Sequence, residues 1–321
     1  YKDYTDFNEF IDKVKMKIQF KNSDIEMADV AFFSTELYGI HKKIFIDGNV
    51  SGNVNNLNGR NLMLNIGDET SFKGNIDISG LPDIDQTFML FEAKDFRTSK
   101  KGIESIPLPP FDKPNFISLP DNLALFGVIK YKGNFTGFYN DFVSFGKFST
   151  DLGFISTDIS LRSDSASGLP IYHGKFACTN FELGKFFEVE EQVGKVSLNV
   201  QVDGKGFKKT DAIATVEGQV SHFSFMQYDY QNIDLKGKLS KNIFDGHMLV
   251  NDENLDLDFN GNIDFSHSPT KLNFVADLSK ANLSALNFVK SDDLVGVSGN
   301  IEVNAIGNNI DDVVGNMNFN N

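Results

Sequence analysis

Val196-Ser197-Leu198-Asn199-Val200-Gln201-Val202-Asp203 aligns without a gap on Val297-Ser298-Gly299-Asn300-Ile301-Glu302-Val303-Asn304, 101 residues further on. The register continues through Gly206 and Gly307, then through Asp211 and Asp312. Apolar and polar residues alternate in both copies, the period of a strand with one dry face and one wet face. Two looser echoes lie upstream. Gly48-Asn49-Val50-Ser51-Gly52 precedes Asn56-Leu57, and Gly133-Asn134-Phe135-Thr136-Gly137 precedes Asp141-Phe142. A chain that repeats a one-sided strand builds length rather than a pocket. The functional question becomes what the apolar face touches.

The 321 residues are 40% hydrophobic and 23% charged, a composition that supports a folded chain. Phe dominates the aromatics, with 32 copies against eight Tyr and no Trp. Such residues favour pleated, half-buried surfaces, and Phe leaves them without polar handles. The net charge of −14 excludes a nucleic-acid backbone as partner, because the basic clusters are no longer than Lys42-Lys43, Lys100-Lys101 and Lys208-Lys209. It also disfavours polybasic attachment to anionic lipid, and the acid excess reads as a soluble outer face. Cys178 is the only cysteine, so no intrachain disulfide forms. No uninterrupted apolar run approaches the roughly 18 residues of a membrane-spanning helix. The chain starts at Tyr1 without a signal peptide, and reads as part of a longer protein whose anchor lies elsewhere.

Residues 4–15 place Phe7, Phe10, Ile11 and Val14 at helical spacing behind a Thr5-Asp6 start signal, which predicts a leading helix. From Met16 onward short alternating runs predict strands. Asp47-Gly48, Asp203-Gly204, Asp245-Gly246 and Asn260-Gly261 predict hairpin turns or bulges between them. Five of the eight prolines fall within 106–120, a stretch that cannot be a central strand. It reads as a linker or edge-crossing loop between a first array (1–105) and a second (121–321), continuous with the first. Further helices are expected over 179–187 and 281–288, each just ahead of its copy of the repeated strand. Connections this short favour an antiparallel meander. At roughly 12 residues for a strand and its turn, the chain would hold about 25 strands.

Catalytic and metal motifs fail when tested. Asp256-Leu257-Asp258-Phe259-Asn260-Gly261 opens like a calcium loop, but its twelfth position is His267 instead of a bidentate Glu. His41, His173, His222, His247 and His267 have no paired ligand spacing and read as surface or strand-face residues. Gly204-Lys205-Gly206 lacks the third glycine and the strand–helix setting of a dinucleotide loop. There is no Gly-x-Ser-x-Gly elbow, and Cys178 has no basic or helical neighbour to activate it. The chain is therefore read as non-enzymatic, with no catalytic residue, no metal and no cofactor.

Phe181-Glu182-Leu183-Gly184-Lys185-Phe186 leads to Gly194-Lys195-Val196 and on to Asp203-Gly204-Lys205-Gly206-Phe207. Tyr228-Asp229-Tyr230-Gln231-Asn232-Ile233-Asp234-Leu235-Lys236-Gly237, Phe244-Asp245-Gly246-His247 and Leu255-Asp256-Leu257 follow. With Gly48 to Gly52 and Gly74-Asn75-Ile76-Asp77-Ile78-Ser79-Gly80 upstream, this resembles the middle portion of TamB-like proteins of the AsmA-like superfamily. The resemblance covers most of the chain from about Lys43. It implies an all-β fold with a few short helices, a long twisted antiparallel sheet curled into a trough (a β-taco) with an apolar interior. It also implies a structural conduit for phospholipid transfer between the inner and outer membranes in outer-membrane biogenesis. Such a protein works in the periplasm of a Gram-negative bacterium and carries phospholipid as cargo. An Omp85-type outer-membrane barrel and an inner-membrane anchor meet it through regions outside these residues.

The dry faces of the clearest strands supply the expected groove lining. These are Val196, Leu198, Val200 and Val202, then Leu255, Leu257, Phe259, Ile263 and Phe265, then Ile301 and Val303. Two other readings stay open: a secreted repetitive β-protein with a closed dry core acting as an adhesin or glycan-binding stalk, and a scaffold for outer-membrane protein assembly.

Overall fold

The computed structural model describes residues 3–31, 42–81, 83–106, 116, 118–206, 211–289, 295–307 and 313–320. Among these are 17 strands and a few short helical turns, so the fold is all-β. The chain forms two compact units, Tyr1–Asp158 and Ile159–Asn321. The first contains β1 (Met16–Glu26), β2 (Lys43–Gly52), β3 (Asn56–Ile66), β4 (Thr70–Ser79), β5 (Phe88–Thr98), β6 (Ile129–Phe138) and β7 (Asp141–Thr150). Each pairs antiparallel with the next in chain order. Strand β8 (Gly153–Ser163) crosses the boundary between the units.

The second unit continues with β9 (Pro170–Glu182), β10 (Val193–Lys205), β11 (Ile213–Phe225), β12 (Tyr228–Ser240) and β13 (Ile243–Asn251). It ends with β14 (Leu255–Asp264), β15 (Lys271–Asn282), β16 (Gly296–Ile306) and β17 (Val314–Asn320). The meander again follows chain order. Among the described residues no pairing joins β1 to β7 or β9 to β17. Each unit is thus an open single-layer sheet with one apolar and one polar face, the expected trough architecture.

Several local expectations need correction. Most strands run 9–13 residues, longer than the spacing suggested, so 17 replace the expected number of about 25. The leading helix is a 3₁₀ turn (Tyr4–Glu9) followed by Phe10–Lys13, and its cap is Asp3 rather than Thr5. Asp3 Oδ1 accepts the Thr5 N–H at 3.0 Å, while Asp6 accepts the Asp3 N–H at 3.2 Å. That is a reciprocal capping arrangement. The helix expected over 179–187 shrinks to Leu183–Phe187, because β9 runs on to Glu182. The one expected over 281–288 is a set of turns after β15, stopped where Asn287 turns left-handed (φ 62°). Within the proline-rich stretch, 107–115 and 117 lie outside the described residues. Helical turns at Lys100–Glu104 and Asp121–Phe126 flank it, and beyond them β5 pairs directly with β6.

The Asp-Gly and Asn-Gly pairs are not turns, and the bulge alternative holds at Gly48, where the β2–β3 register shifts between Asp47 and Asn49. All four lie inside strands, at Gly48, Gly204, Gly246 and Gly261. The tight turns are instead Met226-Gln227 and Lys241-Asn242, with both residues at positive φ (52° and 63°, 50° and 67°). Such paired left-handed residues match the twist of the strands they join. The mid-strand glycines have a packing purpose. On the apolar face Gly237, Gly246 and Gly261 stand side by side across β12, β13 and β14. A Cβ on Gly237 would lie 2.5 Å from the Phe244 ring, and one on Gly261 2.4 Å from Phe274 Cα. The Phe244 ring, from the next row, fills the space left by Gly237 and Gly246, and Phe274 backbone closes on Gly261, which lets the sheet bend along that line. The first unit repeats the device, with Gly74, Ala93, Gly133 and Gly146 in one row and Tyr131 lying over Gly146.

Bulges supply the remaining curvature, and three of them hand their stray N–H to a side chain on the next strand. Asn22, Asn61 and Asn180 turn left-handed within β1, β3 and β9. Their N–H groups donate to Asp47 Oδ2 (3.0 Å), Asn75 Oδ1 (2.9 Å) and Ser197 Oγ (2.9 Å). A bulge whose extra donor is satisfied bends the strand without leaving an unpaired polar group.

Gly261→Ala should therefore destabilise the chain by about 1–3 kcal/mol, since the new methyl strikes backbone at a position with φ 156°. Gly296→Ala, where the nearest atom is 4.0 Å away, should cost well under that. Urea unfolding of the two variants checks the contrast, and equal losses would contradict the crease.

Candidate functional site: the apolar sheet face

Directly paired residues in a sheet share a face, so the register decides which side chains meet. One row runs from Phe176 on β9 through Val200, Gly218, Leu235, Met248, Phe259, Ala276 and Ile301 to Phe319 on β17. It crosses nine strands without a charged side chain. The parallel rows through Leu198 and Leu257, through Val202 and Val303, and through Ile263 are equally free of charge. The expected lining residues are thus gathered on one face, with Val196 and Leu255 extending it toward one set of strand ends. Phe265 is the exception. It lies past the end of β14, in the turn, and is 56% exposed.

Burial along this face is graded. Val196 and Val303 are 3% exposed, and Val200 and Phe259 are 4% exposed. Leu198, Val202, Leu255, Leu257, Ile263 and Ile301 are half-buried. Burial of a Val or Phe side chain contributes roughly 1.5–3 kcal/mol, so the inner rows hold the sheet while the half-buried ones keep apolar surface available. Phe259 and Phe274 meet at a ring-centroid distance of 4.9 Å, which stiffens the middle of the face.

The first unit has the same organisation. A row runs through Ile46, Leu64, Phe72, Phe96, Tyr131 and Phe148. Ile46, Leu62, Phe72 and Ala93 form its buried centre, with Phe20, Val50 and Ile76 packed against them. The only polar intrusion on the Ile76–Phe91–Phe135 row is Ser144, whose hydroxyl meets Tyr131 Oη at 3.3 Å. Burial raises the Tyr131 pKa.

The opposite face of the second unit is polar. Gln201, Glu217, Lys236, His247 and Asn260 stand in one cross-strand row, and Asp203, Thr215, Lys238 and Asp245 in the next. A depression of about 410 Å³ lies between them above Gly237 and Gly246. Every described histidine here has an aspartate partner. His247 Nε2 is 2.7 Å from Asp258, His267 Nδ1 is 3.0 Å from Asp264, His222 Nε2 is 3.5 Å from Asp229, and His173 contacts Asp203. These pairs explain the scattered histidines as strand-face and turn residues, while His41 lies outside the described residues. Asp256 and Asp258 are exposed on β14, and among the described residues no group of three His, Cys, Asp or Glu side chains is placed to hold a metal. Cys178 is buried, its thiol pointing to the Val196 carbonyl, and burial pushes its pKa up.

One anchor was not legible in the sequence. Asp252, in the turn before β14, accepts the Gln231 N–H at 3.0 Å, the Asn254 N–H at 2.9 Å and the Tyr228 hydroxyl. It fixes the end of the apolar face beside Tyr230, which is buried. Burial, with Tyr228 and the Asp252 charge nearby, pushes the Tyr230 pKa to about 12. Its neutral form is favoured by folding, so this stabilisation is complete below the usual tyrosine pKa of about 10 and is lost as pH rises through about 12. Tyrosinate absorbance in an alkaline titration should show Tyr230 ionising later than the exposed tyrosines, and Tyr230→Phe should diminish the late component. Ionisation of Tyr230 together with the exposed tyrosines would contradict this placement.

Among the described residues no helix is long and apolar enough to cross a membrane. Comparison with protein families, with curated proteins and with solved structures finds no match to this chain.

Proposed function

We propose that the chain is a structural conduit for phospholipid, holding acyl chains along the apolar face of its sheets while headgroups stay in water. The observation that carries this reading is the set of uncharged rows spanning β9 to β17, with half-buried Leu, Val and Ile along them. A face built only to pack a closed core would bury those residues fully. A half-covered apolar surface gains about 0.8 kcal/mol for each acyl CH₂ laid on it. Rows that run across strands, with no charge to stop them, offer an acyl chain equivalent positions from one strand to the next, which suits movement better than capture. The resemblance to TamB-like proteins points the same way. It sets the conduit in a Gram-negative periplasm, with the inner membrane and an Omp85-type barrel as the bodies it serves.

A matched pair of substitutions separates cargo contact from fold. Leu239 lies on the apolar face and is 43% exposed, whereas Leu249 lies on the polar face and is 41% exposed. Buried Val200 and Phe259 are unsuitable, because a charge there would unfold the sheet. Leu239→Lys should abolish transfer of fluorescent phospholipid between donor and acceptor vesicles with little change in melting temperature. Leu249→Lys should leave transfer intact. Equal transfer by both folded variants would overturn the conduit.

A further inference from the structure

The polar face of the first unit is not uniformly acidic. On β6 and β7 the outward residues include Lys130, Lys132, Thr136, Val143, Phe145 and Lys147. Lys132 stands directly opposite Lys147, and Arg97 on β5 directly opposite Lys130. Like charges placed opposite one another destabilise a sheet, and a chain of net charge −14 has ample acids to avoid it. The nearby acids are otherwise engaged: Asp95 pairs with Arg97 at 3.3 Å and Glu92 takes Asn75 at 2.6 Å. Asp141 is at the far end of β7, opposite Phe138. Among the described residues, Lys130, Lys132 and Lys147 have no ion-pair partner.

Beside these lysines the same face exposes large apolar side chains. Phe145 is 55% exposed, Val143 51%, Phe88 39% and Leu90 37%. Leu90 reaches Val143 through Thr136, so they form one patch, and Tyr139, in the turn between β6 and β7, lies exposed at its end. On the polar face of the second unit, by contrast, exposed Leu249 stands between Asp234 and Asp258, and exposed Val275 between Asn260 and Glu302, with no facing lysines beside them. Lysines flanking projecting aromatics form an interfacial surface, the rings entering the acyl boundary and the ammonium groups meeting phosphates.

We infer that this β5–β7 face docks on the surface of an anionic phospholipid bilayer. The occupant follows from charge complementarity: facing cations without counter-charges call for an array of anions, and the exposed Phe and Val patch calls for an apolar layer beneath them. Overall acidity, which argued against lipid attachment from composition alone, hides this local inversion. The inference does not depend on what the opposite face carries.

Co-sedimentation with vesicles of phosphatidylethanolamine and phosphatidylglycerol tests it, against vesicles of phosphatidylcholine alone. The chain should bind the first, release with salt, and ignore the second. Each lysine near an anionic surface is worth roughly fivefold in partitioning, so Lys130→Gln, Lys132→Gln and Lys147→Gln together should weaken binding roughly a hundredfold. Phe145→Thr should weaken it separately, with melting temperatures unchanged because these side chains are exposed. Lys175→Gln, Lys236→Gln and Lys238→Gln together, on the second unit, should leave binding intact. Undiminished binding by the β6–β7 variants would overturn the inference, as would binding to polyglutamate but not to vesicles, which would assign the patch to an acidic protein. Phospholipid co-purifying with the chain is a separate readout, so loss of this docking and failure of the conduit are distinguishable.

Discussion

Cross-strand register is the constraint on which everything else rests. Side chains alternate with a period of two, so a slip of one residue in any pair would send a row of Val, Leu and Phe to the wet face and Asp and Lys to the dry one. The meander prevents this locally. Strands pair with their chain neighbours, several of them across tight turns, and Met226-Gln227 and Lys241-Asn242 fix the offset at two of these. The uncharged rows from β9 to β17 are the accumulated result of eight such pairings.

Register makes the sheet one-sided, and glycine and asparagine make it bend. The row of Gly237, Gly246 and Gly261 removes side chains along one line, where the Phe244 ring and the Phe274 backbone lie close. Left-handed asparagines at the bulges bend strands further, each with its N–H caught by Asp47, Asn75 or Ser197. The same residues that give curvature thus fix where the apolar rows lie, so fold and candidate groove cannot be altered independently. A substitution in the crease would change both stability and the surface offered to an acyl chain.

The alternating segments announced themselves because their period is physical. Val196 to Val202, Leu255 to Ile263 and Ile301 to Val303 sit on the face their spacing required. Phe265 misled because alternation continues one step past the last ladder pair, at Asp264. The Asp-Gly pairs misled for a different reason. Glycine marks both a turn and a place where a ring must lie against backbone, and only the neighbouring strand distinguishes them. The Asp252 anchor was invisible because its partners come from a turn and a strand some 20 residues away. The basic patch was invisible because Lys132 and Lys147 are adjacent only across a strand pair, and composition averages over both faces.

The central claim is that the apolar face is completed by lipid, and native mass spectrometry of the purified chain, followed by extraction and identification of what it carries, tests it most directly. The account predicts several phospholipids per chain, lost when Leu239 becomes Lys. A folded chain that carries no lipid would mean that protein alone satisfies the rows from β9 to β17, and would contradict it.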